Sequence, residues 1–393
     1  MIQQEEALAA ILAGVHPGAA RSAPLVEAVG CFAARDFFAT VALPPFDNSA
    51  MDGYAVVASS CAPGKSLHVV GEQPAGLDRG LQVRAGEAVR ILTGAPMPSG
   101  ADAVVMQEDT VANGRDVVVN TSVAHEEFVR RRGDDVAAGQ KILSSGQRIR
   151  PATVALLASQ GVASVDVGAA VRAAIVSTGD ELAPAGAELR AGQIYDSNTP
   201  LLQALVHRCG ATVATAEHCA DDEAATTAAV HRGLASDLLI ITGGVSVGAR
   251  DFVKSAIRSA GGEIAVWRVS LKPGKPFLFG HAGNCAIFGL PGNPVSAFVT
   301  FLLFVRPAIL KLSGAADASL ALPSFSVALN EDVSNPSDRP HYVRGSVERG
   351  TFQALGRQES HAIFGLSRAD ALLRVAPGVT MRRGEVANVL VFD

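Results

Sequence analysis

The sequence predicts an α/β protein of several domains, and three observations support this prediction. Over residues 169–317, short apolar segments alternate with segments of helical spacing, a pattern typical of a largely parallel sheet with helices on both faces. Residues 43–135 and 318–393 instead contain short strands separated by turns. The chain has 393 residues, which is too many for a single hydrophobic core.

Composition limits the functional class. An apolar content of 48% with 18% charged residues indicates a folded chain, and the net charge of −5 gives no general affinity for nucleic acid or an acidic membrane. The five cysteines form no CxxC pair and are expected to be reduced thiols of a cytoplasmic protein. The N-terminus lacks the basic start of a signal peptide. An apolar helix near 295–305, interrupted by Arg306, is expected to be too short to cross a bilayer.

The sequence predicts one discontinuous helical domain, which consists of residues 1–42 and 136–168. Two helical segments are expected in the first part, separated by a Pro17–Gly18 break. In the second part, residues 151–161 have proline in the first turn and glycine at the end, as helices often do. This return to helix indicates that the β-rich segment 43–135 is an insertion.

The insertion holds several polar residues whose simplest explanations are structural. Asp52 lies at a bend and is expected to bond its own turn backbone, and Thr93 ends a strand in a Thr-Gly turn that suits capping. The run RRRGDD, from Arg130 to Asp135, is most simply a self-paired surface charge. The dipeptide NG at 113–114 predicts a hairpin.

The α/β region has one repeated plan, in which a buried strand ends in a polar turn that carries glycine. In an open α/β sheet such turns meet in one crevice at the carboxyl ends of the strands, where ligands bind. Predicted strands cover 171–177, 211–216, 238–242, 263–269, 276–280 and 285–289, and predicted helices cover 199–208, 223–235, a short segment opened by Asp251, and a final one after 293.

Acidic residues lie at several of these strand ends. Mg²⁺ prefers one or two carboxylates together with substrate phosphates, so the acids beside an anion site suggest a Mg²⁺-assisted phosphate substrate. Any single acid could instead be a helix cap. The candidates are Asp180, Glu181, Asp221, Asp222 and Asp251, with Gly243, Gly244 and Ser246 in the neighbouring glycine turn.

The segment LPGNPVSAF predicts an anion site at a helix N-terminus. Asn293 is a candidate cap and Pro294 suits the first helical position, while Gly292, after Pro291, lets a ligand approach the backbone. An ordinary capped core helix is an equally good explanation of this segment alone.

The segment LKPGKP strengthens the prediction of an anion site. The chain has 33 basic residues, of which only six are lysines, and two of these are Lys272 and Lys275. Each is followed by proline, which restricts the backbone, so the turn can present two ammonium groups to phosphate or another oxyanion. A solvent-exposed turn remains an alternative. Neither a GxGxxG nor a Walker A pattern is present in the sequence.

Together these motifs resemble a known family. STGDEL, DSN, TGGVSVG with a following Asp, LKPGKP and GLPGNPVS resemble the molybdenum cofactor biosynthesis fold, and FDNSAMDGYA, LTGAPMP and RRRGDD are similar to the MoeA family of molybdopterin molybdenumtransferases, relatives of the gephyrin E domain. The order and number of the motifs, from about residue 40 to 366, make the combination specific.

The resemblance implies four domains, a homodimer and a reaction. The domains would be 1–42 with 136–168 (helical), 43–135 (β-rich insert), 169–317 (three-layer α/β, molybdopterin-binding) and 318–393 (β-barrel). The active site would be shared between subunits. The family inserts molybdate into adenylylated molybdopterin with Mg²⁺-dependent hydrolysis of the adenylate and release of AMP, and transient contacts with molybdopterin adenylyltransferase and cofactor-accepting apoenzymes are expected.

Roles for individual residues are also implied by the motifs that match. The resemblance implies catalytic roles for Asp52, Thr93, Glu181, Asp251, Lys272 and Lys275. It implies that molybdate is bound by both lysines together with Ser296, Arg344 and Ser360. Glu181 and Asp251 would hold the metal. Substrate binding would involve Arg130, Asp135, Asp180, Asp221, Asp222, Gly243, Gly244, Ser246, Pro291, Gly292, Asn293 and Pro294. Ala220, where relatives often have a basic residue, leaves open which of the two following aspartates is functional.

Two other functions are alternatives. A molybdopterin adenylyltransferase shares only the α/β domain, whereas FDNSAMDGYA and RRRGDD lie outside that domain. A non-catalytic scaffold is the second alternative, and the presence of Glu181, Asp251 and both lysines argues against it.

Overall fold

The computed structural model describes residues 1–244 and 252–392. The chain forms two compact units: the larger contains 1–35, 145–155 and 162–393, and the smaller contains 36–144 and 156–161. In sequence, the smaller unit interrupts the larger one. This division is coarser than the four predicted domains, whose limits stay a prediction.

Helices in the described residues lie mainly in the larger unit. The N-terminal helix begins after Gln3 and has Glu5 and Glu6 in its first turn, where negative charge favours the helix dipole. The helices span Gln4–Gly14, Pro151–Ser159, Asn198–Arg208, Glu223–Gly233, Phe252–Ser259, Pro294–Thr300, Arg306–Leu312 and Ile363–Leu366, and short 3₁₀ turns span Ala58–Ser60, Gln107–Asp109 and Asp317–Ser319.

The larger unit is built on a six-stranded central sheet. Five of its strands run in one direction, and the antiparallel one is joined to its neighbour by a two-residue hairpin at Gly283–Asn284. The sequence-based prediction of a largely parallel sheet is confirmed. In spatial order the strands are Thr212–Cys219, Arg172–Thr178, Leu238–Thr242, Cys285–Leu290, Leu278–Ala282 and Glu263–Trp267.

Helices cover both faces of this sheet. Successive strand residues point to opposite faces, so each face has its own set of apolar residues to bury. Ile175 and Ile240 pack on one face with Leu202 and Val206 of helix Asn198–Arg208. Their neighbours, including Val176, pack on the other face with helices Glu223–Gly233 and Phe252–Ser259. The architecture is therefore the predicted three-layer α/β sandwich.

The apolar helix that follows the sheet is longer than the sequence suggested. It continues through a π-helical turn, Phe301–Val305, and past Arg306 to Leu312. The helix has 19 residues and is long and apolar enough to span a membrane, so the expected short length is wrong. However, 89% of its apolar window is buried inside the protein. It is a core helix, which explains its hydrophobicity.

The C-terminal region forms a closed barrel, as predicted. Its apolar residues, including Val343 and Phe352, fill the interior. The barrel strands are Ser324–Leu329, Thr351–Ala354, His341–Glu348, Ala371–Val375 and Val386–Val391, with a separate pair Val333–Ser334 and Thr380–Met381. The single-turn helix Ile363–Leu366 was missed, since four residues give no periodicity.

The region after the N-terminal helix corrects one prediction. The expected second helix is wrong: strand Arg21–Pro24 pairs antiparallel with Ser164–Val167, and residues 25–30 are turns. Pro24 and Gly30 bound these turns, and Gly30 has φ of +87°, so the local sequence favours a turn over a helix. A second short pair, Leu182–Ala183 with Ile194–Tyr195, follows the first strand of the central sheet.

The smaller unit is β-rich, as predicted for the insertion. Its six-stranded sheet contains the hairpin at residues 113–114, which is confirmed. The order is Ala103–Met106, Gly53–Val56, Glu87–Ile91, Ser66–Gln73, Asp116–Val119 and Thr110–Asn113, and two short pairs join Phe37–Phe38 to Lys141–Leu143 and Asn48–Ser49 to Val129–Arg130.

Candidate active site

A crevice of about 620 Å³ opens at the carboxyl ends of four adjacent parallel strands of the central sheet. Gly179, Gly243 and Pro291 directly follow three of these strands and Asp221 lies two residues after the fourth, as the sequence pattern predicts. The described lining includes eight predicted site residues: Glu181, Asp221, Gly243, Gly244, Pro291, Gly292, Asn293 and Pro294.

The two neighbouring aspartates have different positions. Asp221 lines the crevice and accepts a hydrogen bond from the Thr178 hydroxyl. Asp222 instead caps helix Glu223–Gly233, accepting from the Ala225 N–H at 2.8 Å. Asp180 does not line the crevice, and its carboxylate accepts from the Asp221 N–H at 3.2 Å. The geometry therefore separates one crevice carboxylate from one cap.

Asn198 fixes two of the turns that form the crevice wall. Its side-chain amide donates to Thr242 Oγ1 at 2.8 Å and to the Gly292 carbonyl at 2.7 Å. Thr242 in turn donates to the Pro291 carbonyl at 3.2 Å. The TGG and PGNP turns are thus joined through one buried side chain. Asn198 belongs to the DSN motif, whose aspartate is a candidate cap for helix Asn198–Arg208.

Asp196 does act as that cap. It accepts from the N–H groups of Asn198 and Thr199, both at 3.0 Å, and from the Thr199 hydroxyl at 2.6 Å. Burial alone would raise the pKa of Asp196, but the hydrogen bonds from Thr199, Ser177 and Asn198 outweigh it and lower that pKa. Asp196 is therefore a carboxylate at neutral pH.

Glycine is required at the turn after strand Leu238–Thr242. Gly243 has φ of +89°, and a Cβ atom there would lie 2.3 Å from the Thr178 carbonyl oxygen. Only glycine combines this conformation with so close an approach. The first glycine of TGG therefore has a steric role in closing the sheet end beneath the crevice.

The helix N-terminus beside the crevice differs from the prediction in one respect. Pro294 occupies the first turn as expected, but the Asn293 side chain does not cap the helix. It donates instead to Ser360 Oγ at 2.8 Å, and the Val295 N–H donates to the Ser360 carbonyl at 3.2 Å. The cap prediction is wrong because the Ser360 segment competes for these groups and docks on the helix start.

A second cavity, of about 260 Å³, adjoins the crevice and shares Pro276, Pro291 and Asn293 with it. It brings together four of the predicted oxyanion-binding residues, Lys272, Lys275, Ser296 and Ser360. Within residues 1–244 and 252–392, neither lysine has an ion-pair partner. We call this cavity the oxyanion cavity.

Arg344 is placed differently from the other oxyanion residues. It does not line the oxyanion cavity and its side chain is fully buried. Its guanidinium donates to the carbonyls of Arg357 and Glu359, which lie in the segment just before Ser360. Arg344 therefore positions the segment that carries Ser360. Arg339, which the sequence analysis missed, lines the cavity itself.

In the smaller unit, Asp52 and Thr93 form a pair. Asp52 Oδ1 accepts from the Thr93 N–H and the Thr93 hydroxyl, both at 2.7 Å. The backbone bond, with the hydroxyl bond, lowers the pKa of Asp52. The expectation that Asp52 bonds its own turn is wrong, since its partner lies 41 residues along the chain.

The RRRGDD run is partly self-paired, as predicted. The Arg131 N–H donates to Asp134 at 2.7 Å, and the Arg131 guanidinium pairs with Asp47 and Glu126. Arg130 and Asp135 are exposed. They and the Asp52–Thr93 pair belong to the smaller unit, whereas the crevice belongs to the larger one.

Two predicted residues, Ser246 and Asp251, lie outside the described residues. Among the described residues, no group of three or more His, Cys, Asp or Glu side chains could hold a metal ion. The crevice nevertheless holds the carboxylates of Glu181 and Asp221. One or two carboxylates completed by substrate oxygens is the environment that Mg²⁺ prefers, so this donor set suits Mg²⁺ carried with a phosphate substrate.

The C-terminal barrel region also contributes to the crevice, through His361 and Ile363. The sequence signal for His361 was its position directly after Ser360. Leu182, Ile194 and Tyr195 add an apolar wall that no motif indicated. The site therefore combines carboxylates, backbone turns and an apolar wall with an adjoining cationic cavity.

This arrangement is that of an α/β protein with an anion-binding crevice, and the family comparisons identify its class as proteins with a molybdopterin-binding domain. Residues 2–161 match the family "MoeA N-terminal region (domain I and II)", residues 174–311 match "Probable molybdopterin binding domain", and residues 326–392 match "MoeA C-terminal region (domain IV)".

Relatives cover almost the whole chain. Molybdopterin molybdenumtransferase from Haemophilus influenzae is 36% identical over 89% of this chain and 88% of its own, and molybdopterin molybdenumtransferase 2 from Mycobacterium tuberculosis is 38% identical over 91% of each. The crystal structure of the molybdopterin biosynthesis moeA protein from Pyrococcus horikoshii OT3 is similar, with a TM-score of 0.88, 28% identity and full coverage of both chains. The chain belongs to the MoeA family of molybdopterin molybdenumtransferases and is a transferase of molybdenum cofactor biosynthesis.

Proposed function

We propose that the crevice and the oxyanion cavity together insert molybdate into the dithiolate of adenylylated molybdopterin, with hydrolysis of the adenylate and release of AMP. One observation carries the proposal. A cavity with two lysines that have no ion-pair partner within residues 1–244 and 252–392 adjoins a crevice lined by carboxylates. A substrate that holds both a phosphoanhydride and a reacting oxyanion needs these two environments side by side.

The carboxylates would serve the phosphoanhydride. Glu181 and Asp251 are proposed to hold Mg²⁺, which would neutralise phosphate charge, and Asp221 is the proposed functional member of its pair because it faces the crevice. The Thr178 hydroxyl orients the Asp221 carboxylate. A carboxylate held in this way can orient the attacking water.

The oxyanion cavity would hold molybdate. Lys272 and Lys275 supply positive charge, and Ser296 and Ser360 can donate hydrogen bonds from the wall. Preorganised charge facing a dianion lowers the cost of bringing it to the dithiolate. Arg344 contributes by fixing the Ser360 segment, and the PGNP and TGG turns line the neighbouring pocket for the pterin phosphate.

The residues of the smaller unit are proposed to act from a second subunit. A homodimer with a shared active site would let Asp52, Thr93, Arg130 and Asp135 of one chain serve the crevice of the other. The four domain limits predicted from sequence, a cytoplasmic location, and transient contact with molybdopterin adenylyltransferase and recipient apoenzymes belong to the same proposal.

The decisive experiment incubates the protein with adenylylated molybdopterin, Mg²⁺ and molybdate while AMP and active cofactor are measured together. We expect molybdate-dependent AMP release that Glu181→Ala abolishes and that removal of Mg²⁺ by a chelator prevents. Binding of the adenylate without turnover would instead indicate a scaffold.

Lys275→Ala, with Lys65→Ala as its control, tests the oxyanion assignment. Lys65 is exposed and lies in the smaller unit, so its loss leaves the oxyanion cavity intact. Molybdate affinity is expected to fall at least about tenfold in Lys275→Ala, since a charge-assisted contact contributes about 1.5–3 kcal/mol. Equal affinity in the two variants would rule out this role for Lys275.

A further inference from the structure

His341 is a buried histidine paired through its backbone with Lys272 of the oxyanion cavity. It begins barrel strand His341–Glu348 and is 5% exposed. Neither of its ring nitrogens has a hydrogen-bond partner, and Arg344 Nε on the same strand has none either. These atoms are three of the six buried side-chain polar atoms without a partner in the described part of the chain. Because leaving such groups unpaired is costly, a cluster of them indicates a purpose other than stability.

His341 is fixed against the lysine turn. The Lys272 N–H donates to the Pro340 carbonyl at 2.9 Å, and the Tyr342 N–H donates to the Lys272 carbonyl at 2.8 Å. Lys272 and His341 therefore lie side by side in a short parallel bridge. Lys272 also lines the oxyanion cavity, so the strand that carries His341 is bonded to the turn that carries one of the two lysines of that cavity.

The charges around His341 are unbalanced. Burial, followed by the charges of Lys272 and Arg344, lowers the pKa of His341 to about 4. On the barrel strand opposite, its register partner is the apolar Val375. The Glu359 carboxylate raises the pKa of Arg344 and partly offsets the lowering by burial, and Glu359 lines the oxyanion cavity together with the cationic Arg339. Without an anion, a proton on His341 would place a positive charge on a buried ring beside the charges of Lys272 and Arg344, so the imidazole is neutral.

We propose that His341 is a positioning residue of the oxyanion cavity which takes up a proton when a tetrahedral dianion binds there. This inference rests on the proposed function of that cavity. Burial is the main reason that His341 is neutral, and the charges of Lys272 and Arg344 add to it. Two negative charges beside Lys272 offset these two cations, and burial strengthens the attraction between an imidazolium and the anion. The imidazolium then stabilises the bound anion through its charge, because His341 does not itself line the cavity.

The affinity for the anion should therefore depend on pH. Empty protein holds His341 unprotonated throughout the neutral range, because its pKa is about 4. If the loaded protein holds the proton, binding consumes one proton, and the affinity rises as pH falls. One proton taken up corresponds to a Kd that decreases up to about tenfold per pH unit.

Isothermal titration calorimetry of the full chain with sodium molybdate tests the proposal. At about pH 6.5, near the ordinary pKa of histidine, wild type is titrated in PIPES and again in imidazole buffer, whose ionisation enthalpies differ. We expect uptake of up to one proton per bound anion. We also expect the Kd of wild type for molybdate to decrease as the pH is lowered from about 8 to about 6.

Variants assign the proton to one histidine. His341→Gln should bind molybdate with little pH dependence, whereas His361→Gln, which removes the imidazole lining the crevice, should retain the wild-type slope. Molybdate binding by wild type without proton uptake overturns the role of His341 and leaves the oxyanion cavity in place. A slope retained in His341→Gln overturns it as well.

The wild-type measurement does not depend on whether His341→Gln folds. Failure of wild type to bind molybdate at any pH is a different result, because it removes the proposed function of the cavity itself.

Discussion

At the scale of single residues, adjacent side chains of the same type have different surroundings. Asp221 lines the crevice and Asp222 caps a helix, although one peptide bond separates them. The sequence could not distinguish them, because both follow the same strand and either could begin the helix. Which one turns inward depends on the Thr178 hydroxyl, which comes from a neighbouring strand.

The two aspartates give a matched pair of variants. Asp222→Ala should lower the free energy of unfolding by about 1 kcal/mol, the usual contribution of a helix cap, and leave AMP release near the wild-type rate. Asp221→Asn should retain stability and lose most of the activity, since the crevice loses a carboxylate. Thermal unfolding and AMP release are the measurements, and equal activity losses in both variants would contradict the assignment.

The Asp52–Thr93 pair predicts a pH effect. Asp52 has a lowered pKa, so its hydrogen bonds stabilise the fold above the unfolded pKa of about 3.9. That contribution is lost as pH falls through the lower, folded value. In Thr93→Val the backbone N–H remains and the hydroxyl is lost, so the pKa of Asp52 should rise partway to its usual value.

Carboxyl NMR titration measures the pKa of Asp52 directly. Thr110→Val is the control, because the Thr110 hydroxyl donates to the Gln107 carbonyl at 2.8 Å and not to the Asp52 carboxylate. An unchanged pKa for Asp52 in Thr93→Val would show that the backbone N–H alone causes the shift.

At the scale of elements, the sequence predicted the α/β region well because its strands are continuous apolar runs bounded by glycine. Strand Leu238–Thr242 lies where predicted, and helix Pro151–Ser159 ends within two residues of the prediction. The errors arose where tertiary contacts decide. Asn293 bonds Ser360 instead of capping its helix, and the long apolar helix passes through Arg306 because that guanidinium reaches the Leu320 carbonyl at 2.8 Å.

The TGG turn supplies a test at this scale. Gly243→Ala should lower the free energy of unfolding by more than about 1 kcal/mol, because it adds a positive-φ penalty and a Cβ atom 2.3 Å from the Thr178 oxygen. Gly186→Ala is the matched control: its φ of +88° is almost the same, but a Cβ there meets no atom within 4 Å. Similar unfolding temperatures for both variants would show that close approach is unimportant at Gly243.

At the scale of the molecule, the candidate site could be predicted only as a set of strand ends. The motifs located Glu181, the glycine turns and the lysines, but the oxyanion cavity also needs Ser360 and Arg339 from the barrel region. Side chains that act through others, such as Asn198 and Arg344, were seen only in the fold, because their partners are far away in sequence.

Thiol reactivity tests the burial of the whole fold. Cys209, Cys219 and Cys285 are buried, whereas Cys31 and Cys61 are partly exposed. Burial raises the pKa of Cys209 to about 11 and that of Cys285 to about 12, and the thiolate is the reactive form. A chromogenic disulfide reagent should therefore label at most two thiols quickly in the native protein and five after denaturation.

Cys31→Ser combined with Cys61→Ser is the matching variant, which should show no rapid phase. Rapid labelling of a third thiol in native wild type would contradict the described core.

The spread of the crevice along the chain has a consequence for the newly made protein. Its described lining begins at Thr178 and ends at Ile363, so a ribosome working at about 5–20 residues per second needs roughly 10–40 s between the first and last of these residues. During that interval the central sheet can fold while its crevice still lacks the barrel-side wall. A chain that stalls before the barrel therefore lacks the part of the crevice wall formed by His361 and Ile363, so the crevice is complete only after this region has been made.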